Sequence, residues 1–231
     1  MRAIAIETAT MATAVGVLDG DRVVEEVVDV QRRHTEALGP SASRMLFAAG
    51  LEASALDVVV VDVGPGLFTG LRVGIAFAKG LCLATRCELH GVTSTEVLAA
   101  TAFREGVTGT VLAVVDARRG EVFAGRYAQG AYGPVELDAP EVLSPEVLAA
   151  RLVAEDATIV GDGAARYAEV LGHRTARFLV ELVVPSPAAA LELVAARRLA
   201  GMPAPDPTGV RPSYLREADA VANFDVRGAR T

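Results

Sequence analysis

The 231-residue sequence has no tryptophan, two cysteines and three histidines, and only 5% of its residues are aromatic. His34, His90 and His173 show no i, i+4 pairing, and no Cys/His cluster forms, so metal chemistry of the zinc kind is poorly served. Cys82 and Cys87 fall on adjacent elements, where free thiols of a cytoplasmic protein are expected rather than a disulfide. No apolar run reaches the ~20 residues of a membrane span. The Met1 end runs straight into a strand pattern, so no signal or transit sequence is expected. Basic charge is also short. Against 29 acidic residues stand 22 Lys and Arg, giving a net charge of −7, and the pI is about 5.1. An autonomous nucleic-acid binder needs a basic footprint, so any RNA would be held by another protein.

Three catalytic signatures are missing as well. There is no G-x-S-x-G nucleophile elbow. A P-loop needs Lys and then Ser/Thr after its last glycine, whereas Gly70 is followed by Leu71 and Arg72. Gly64, Gly66 and Gly70 are one residue too widely spaced for the dinucleotide fingerprint.

What is abundant is apolar: 52% of residues are hydrophobic and the mean hydropathy is +0.36. That suffices for one large domain or two modest ones, with extra burial at an interface. The chain is organised around the stretch from Val58 to Ala84. Val58 to Val61 is a β-branched run, the composition of a strand covered on both faces. Gly64-Pro65-Gly66 ends it, and Thr69 is the expected N-cap of the helix that follows. In that helix Gly70, Gly74 and Ala78 form a stripe without bulk. Each interior glycine costs roughly 1 kcal/mol relative to alanine, so something approaches this backbone closely. The remainder is nearly all apolar (Leu71, Val73, Ile75, Phe77, Leu81, Cys82), with only Arg72 and Lys79 as a thin polar strip. Such a helix is covered on more than one side. Its own sheet supplies one cover, and a second subunit is expected to supply the other.

Before this stretch, Arg2 to Ile6, Thr13 to Leu18 and Arg22 to Val30 read as a meander, with a hairpin signal at Asp19-Gly20. A helix is predicted from His34 to Gly50, with His34 on the surface at its start. After it, Glu88 to Val92 reads as a strand and Ser94 to Phe103 as a helix. The order βββ-α-β-α-β-α is that of a mixed α/β layer fold. The second half repeats the rhythm. Strands are predicted at Thr110 to Val115, Glu121 to Ala128, Tyr132 to Leu137, Thr158 to Val160 and Leu179 to Val184. Helices are predicted at Pro145 to Ala154, from Gly163 to Leu171 and at Ser186 to Ala200, with Ser144 capping the first of them. Domains are expected at 1–104 and 105–217, with a tail at 218–231 that reads as disordered.

Glu7, Asp62 and Asp116 lie at strand ends. Two-domain phosphotransferases of the actin and sugar-kinase type hold magnesium with such carboxylates, and Glu7-Thr8-Ala9-Thr10 sits where a first phosphate loop would lie. A helix N-terminus behind a glycine turn also offers amides to an anion. Glu7, Thr8, Gly66, Thr69 and Arg72 are therefore the nucleotide-binding candidates. Strand-end acids more often serve as turn formers and caps.

The run Gly64-Pro65-Gly66-Leu67-Phe68-Thr69-Gly70-Leu71-Arg72-Val73-Gly74, continuing to Phe77-Ala78-Lys79-Gly80, closely resembles the TsaB (YeaZ) family. Other matches are Glu7-Thr8, Arg32-Arg33-His34, Gly91-Val92-Thr93-Ser94, Asp116-Ala117-Arg118 with Gly120-Glu121-Val122, and Pro212-Ser213-Tyr214-Leu215-Arg216. The resemblance spans nearly the whole chain. It implies an α/β, actin/sugar-kinase-like fold with two ribonuclease-H-like halves. It also implies a cytoplasmic, non-catalytic subunit supporting the catalytic paralogue TsaD alongside the ATPase TsaE. Together these transfer threonylcarbamoyl from its adenylate to the adenosine beside the anticodon of tRNA, which the chain would meet only through the complex. Where the paralogue carries a paired-histidine metal motif, this sequence has Thr93, Ser94 and Glu96. No catalytic residue, metal or cofactor is therefore expected in the chain itself, with ATP and magnesium left to a subunit junction. Glu7 replaces the family's usual aspartate and Leu67 its usual serine.

The resemblance further implies that the early helix and the glycine-stripe helix form a self-dimer or pair with the paralogue. The interface expected on that basis comprises Met45, Phe68, Gly70, Leu71, Val73, Gly74, Phe77, Ala78 and Leu81, and Gly74→Leu should abolish association without unfolding the monomer. Two other classes stay open: an ATP-dependent phosphotransferase or ATPase, and a glycoprotease-like metallopeptidase.

Overall fold

A computed structural model describes residues 1–28, 33–152, 157–172, 177–179, 181–203 and 206–215. The expected tail, His173, Arg32, Arg216 and the predicted ends of two elements at Val30 and Ala154 lie outside them. Two five-stranded mixed sheets form the frame. In the first, β1 (Arg2–Glu7), β2 (Thr13–Asp19) and β3 (Arg22–Val28) make the antiparallel meander, and β4 (Val58–Asp62) and β5 (Glu88–Val92) add in parallel, in the order β3-β2-β1-β4-β5.

Alternation along β1 and β4 explains their composition. Ile4, Ile6, Val59 and Val61 face α1 (His34–Ala49) and α2 (Phe68–Thr85). Ala3, Ala5, Val58 and Val60 face α7 (Pro187–Leu199) and Val97 of α3 (Ser94–Arg104). Each strand is covered on both faces, hence its unbroken apolar run. The side chains facing α7 are small, and α7 is alanine-rich. A Cβ on Gly16 of β2 would lie 2.8 Å from Pro187 Cβ, so α7 sits nearly on the sheet backbone.

The second sheet runs β10-β9-β6-β7-β8, from β6 (Thr110–Arg118), β7 (Glu121–Gly130), β8 (Gly133–Leu143), β9 (Ala157–Val160) and β10 (Arg177–Leu179). One face meets α3 through Leu98, Ala99 and Ala102. The other is covered by α4 (Pro145–Leu152), α5 (Asp162–Arg166) and α6 (Ala168–Leu171). Ser144 accepts from the Val147 amide at the start of α4, as its position predicts.

Several predicted bounds shift. β8 extends to Leu143, and the helix after Gly163 breaks at Tyr167, where φ −109° and ψ 23° leave the helical region. The last strand forms at Arg177–Leu179 rather than Leu179 to Val184, while Leu182 instead accepts the Gly161 amide at 2.7 Å. His34 is half-buried at the helix start rather than free in solvent. Its Nδ1 lies 2.8 Å from Thr13 Oγ1 and burial lowers its pKa.

Two segments beyond residue 105 return to the first sheet. One is α7. The other ends at Tyr214: Val210 enters the core beside Gly91, and the Ser213 amide donates to Val63 O at 2.7 Å.

Candidate functional site

The carboxyl ends of β1 and β4 lie side by side, because Ile6 pairs with Val61 in parallel register. This places Glu7 beside Asp62, both buried. Glu7 Oε1 accepts the amides of Ala9 at 2.7 Å and Thr10 at 3.1 Å, tying down the loop between β1 and β2. Asp62 Oδ1 accepts the Gly64 amide and the Ser94 hydroxyl, each at 2.7 Å. Glu7 Oε2 and Asp62 Oδ2 are buried with no hydrogen-bond partner among the described residues, a placement that two charged carboxylates side by side would not tolerate. Burial, then the charge of Asp62, pushes Glu7 well above the usual carboxylate range. Burial also raises Asp62, opposed by the neighbouring Glu7 carboxyl and by the hydrogen bonds it accepts from Gly64 and Ser94. A cavity of about 10 Å³, room for one water, adjoins the pair beneath Pro187 and Ala190.

Packed on this pair is the glycine turn. Leu67 N donates to Ala9 O at 2.7 Å, and Thr8 Oγ1 donates to Gly70 O at 2.8 Å. A Cβ on Gly66 would collide with Ala9 O, one on Gly70 with Thr8 O, and one on Gly74 with Thr8 Oγ1. The stripe is thus filled by the chain's own β1–β2 loop. The close approach read from the glycines is real, but the visitor is internal. Gly70, Leu71, Gly74 and Ala78, expected at an interface, are buried in this chain's own core. The same contact moves the helix start: Leu67, fixed by Ala9 O, is the N-cap, and Thr69 is an exposed first-turn residue that caps nothing.

The nucleotide-binding candidates are brought together but turned to other tasks. Glu7 and Thr8 are sealed in the core, and the loop amides of Ala9 and Thr10 that face Glu7 are already occupied. Gly66 touches Ala9. Arg72 lies 3.8 Å over the Phe68 ring and donates from Nε to Tyr214 Oη at 2.9 Å, while Tyr214 stacks on Phe68 at 4.8 Å. This aromatic clamp pins the returning segment to the start of α2, and the distance in sequence hid it.

Thr93, Ser94 and Glu96 are equally committed. Thr93 caps α3 by accepting the Glu96 amide at 3.3 Å, Ser94 serves Asp62, and Glu96 pairs with Arg197. At the end of β6, Asp116 Oδ1 accepts the Arg118 amide, and Oδ2 lies 3.1 Å from the Arg118 guanidinium and 3.6 Å from that of Arg166. Among the described residues no three His, Cys, Asp or Glu side chains gather as a metal site.

What remains open is the outer face of α1 and α2. Phe47 is 88% exposed and Leu83 is 86% exposed. Met45, Val73, Phe77 and Leu81 touch the core with one edge and are half-buried, as is Phe68. Phe47 and Leu83 escaped the sequence reading. Their signal was position: both are large apolar residues off the buried stripe, which runs Leu38, Ala42, Ala49 in α1 and Gly70, Gly74, Ala78 in α2. By length and composition α2 is apolar enough to cross a membrane, yet it lies against the first sheet.

A family model described as "TsaD: tRNA N6-adenosine threonylcarbamoyltransferase" matches residues 23–223. The tRNA threonylcarbamoyladenosine biosynthesis protein TsaB of Haemophilus influenzae is 30% identical over 176 residues, 72% of this chain and 74% of that one. Its Escherichia coli namesake is 33% identical over 153 residues, 66% of each chain. The chain belongs to the TsaB family. YeaZ from Pseudomonas aeruginosa superposes with a TM-score of 0.82 at 29% identity, covering 93% of this chain and 99% of that one. An uncharacterised protein of Mycobacterium tuberculosis is 35% identical over 220 residues, 94% of this chain and 92% of its own. The two-sheet architecture is accordingly that of YeaZ, here with the β1–β2 loop closed on the glycine turn.

Proposed function

We propose that this chain is a non-catalytic partner subunit in tRNA threonylcarbamoyladenosine biosynthesis. It acts in the cytoplasm by docking the outer face of α1 and α2 onto a TsaD-type catalytic paralogue. Family membership supports the biosynthetic role. The docking role is carried by one contrast. The loop that would hold a nucleotide is bonded to its own glycine turn, while Phe47 and Leu83 stand 88% and 86% exposed on neighbouring helices. Exposed apolar surface on a folded chain favours association, at roughly 25 cal/mol per Å² removed from water. In the absence of the paralogue, two copies pair through the same face. Residues 1–104 form one domain, completed by α7 and the Tyr214 segment, and 105–217 the other.

The test is reconstitution with the paralogue, the TsaE-type ATPase with ATP, threonylcarbamoyl adenylate and tRNA, leaving out one component at a time. Modified tRNA should require this chain together with the paralogue. Undiminished modification without this chain overturns the proposal, as does threonylcarbamoyl transfer by this chain alone.

A further inference from the structure

The sequence holds two cysteines, and the fold brings them together. Cys82 lies in the last turn of α2, and Cys87 directly precedes β5. Between them Arg86 takes the left-handed conformation, φ 62°, and its amide donates to Cys82 O at 2.7 Å. This cap reverses the chain at once and swings Cys87 back over Cys82. Their Sγ atoms lie 3.1 Å apart as free thiols, about 1 Å more than a disulfide bond. The Thr85 hydroxyl lies 3.1 Å from Cys87 Sγ, and Cys82 Sγ faces Glu88 O at 3.6 Å. Both residues are half-buried, so a small oxidant reaches them while the core stays closed.

We propose that Cys82 and Cys87 form a reversible dithiol–disulfide site, oxidised by a hydroperoxide. Burial and the adjacent sulfur push the Cys82 thiol up, so Cys82 keeps its proton and acts second. The Cys87 sulfur, as thiolate, attacks one peroxide oxygen. The O–O bond breaks, hydroxide leaves and is protonated to water, and Cys87 becomes a sulfenic acid. Cys82 sulfur then attacks Cys87 sulfur: the S–S bond forms, the S–O bond breaks, and the Cys82 proton leaves with the hydroxyl as a second water. Two thiols lose two electrons and the peroxide gains them. The bridge ties the end of α2 to the start of β5. An added dithiol restores the thiols by exchange.

The full chain, treated with hydrogen peroxide at neutral pH, should lose both alkylatable thiols and about 2 Da in mass. Dithiothreitol should restore both. Under the same conditions Cys82→Ser should accumulate a sulfenic acid trapped by dimedone, and Cys87→Ser should oxidise at least about tenfold more slowly. Thiols that stay alkylatable at peroxide levels oxidising the urea-unfolded chain would overturn the site. So would a gain of about 32 Da at Cys87 in place of the 2 Da loss, or bridges that form only between chains. The wild-type chain carries the primary readout, so an unstable variant leaves the proposal open to refutation.

Discussion

Glu7 and Asp62 lie buried side by side where β1 and β4 end together, an arrangement that favours one proton shared by the pair and held at Glu7. Each carboxyl spends its other oxygen on its own turn: Glu7 on the amides of Ala9 and Thr10, Asp62 on Gly64 and Ser94. The pair thus anchors the two loops that follow β1 and β4.

This pair sets a pH dependence. Glu7 titrates above its ordinary 4.5, so the native chain keeps a proton that the unfolded chain releases. That stability is complete below about pH 4.5 and is lost as pH rises toward the native pKa, at about 1.4 kcal/mol for each pH unit crossed. Glu7→Gln retains a donor for Asp62 and an acceptor for the loop amides, without a titrating group. Thermal unfolding from pH 5 to pH 8 should therefore show a flatter profile for the variant and a higher Tm than wild type at pH 8. Parallel profiles would refute the shared proton.

Gly74→Leu should damage the monomer itself, contrary to what the glycine stripe suggested from sequence. Its Cβ meets Thr8 Oγ1, and at Gly70 even alanine meets the Thr8 carbonyl. A cost of at least about 3 kcal/mol is expected for Gly74→Leu. Denaturant unfolding measures it, and a variant as stable as wild type would show that the loop yields easily.

Phe47→Glu combined with Leu83→Glu should leave the unfolding midpoint within about 0.5 kcal/mol of wild type, since neither side chain is buried. Analytical ultracentrifugation should show a monomer where wild type self-associates, and binding to the paralogue should weaken at least about tenfold. Unchanged association would move the interface elsewhere.

The isolated chain should bind Mg-ATP no more tightly than about 1 mM by titration calorimetry, with no turnover. The loop amides face Glu7, Thr8 holds Gly70, and Arg72 is engaged with Phe68 and Tyr214. A micromolar Kd would mean the loop opens.

Local chemistry explains which parts could be read from the chain. β4 declares itself because Val58 to Val61 is apolar on both faces, and the meander because Asp19-Gly20 punctuates two apolar runs. Glycines at 70 and 74 announce a close neighbour. Periodicity carries no information about whether that neighbour is Thr8, more than sixty residues upstream, or another molecule. The same limit hid the clamp of Arg72 by Tyr214, 142 residues apart, and the partnership of His34 with Thr13. Thr69 resembles an N-cap by type alone; the tertiary bond from Leu67 to Ala9 decides where the helix begins.

Helix α3 is core to both sheets at once, giving Val97 to the first and Leu98, Ala99 and Ala102 to the second. A wedge shared in this way commits the two sheets to one another, since separating them would expose apolar surface on both.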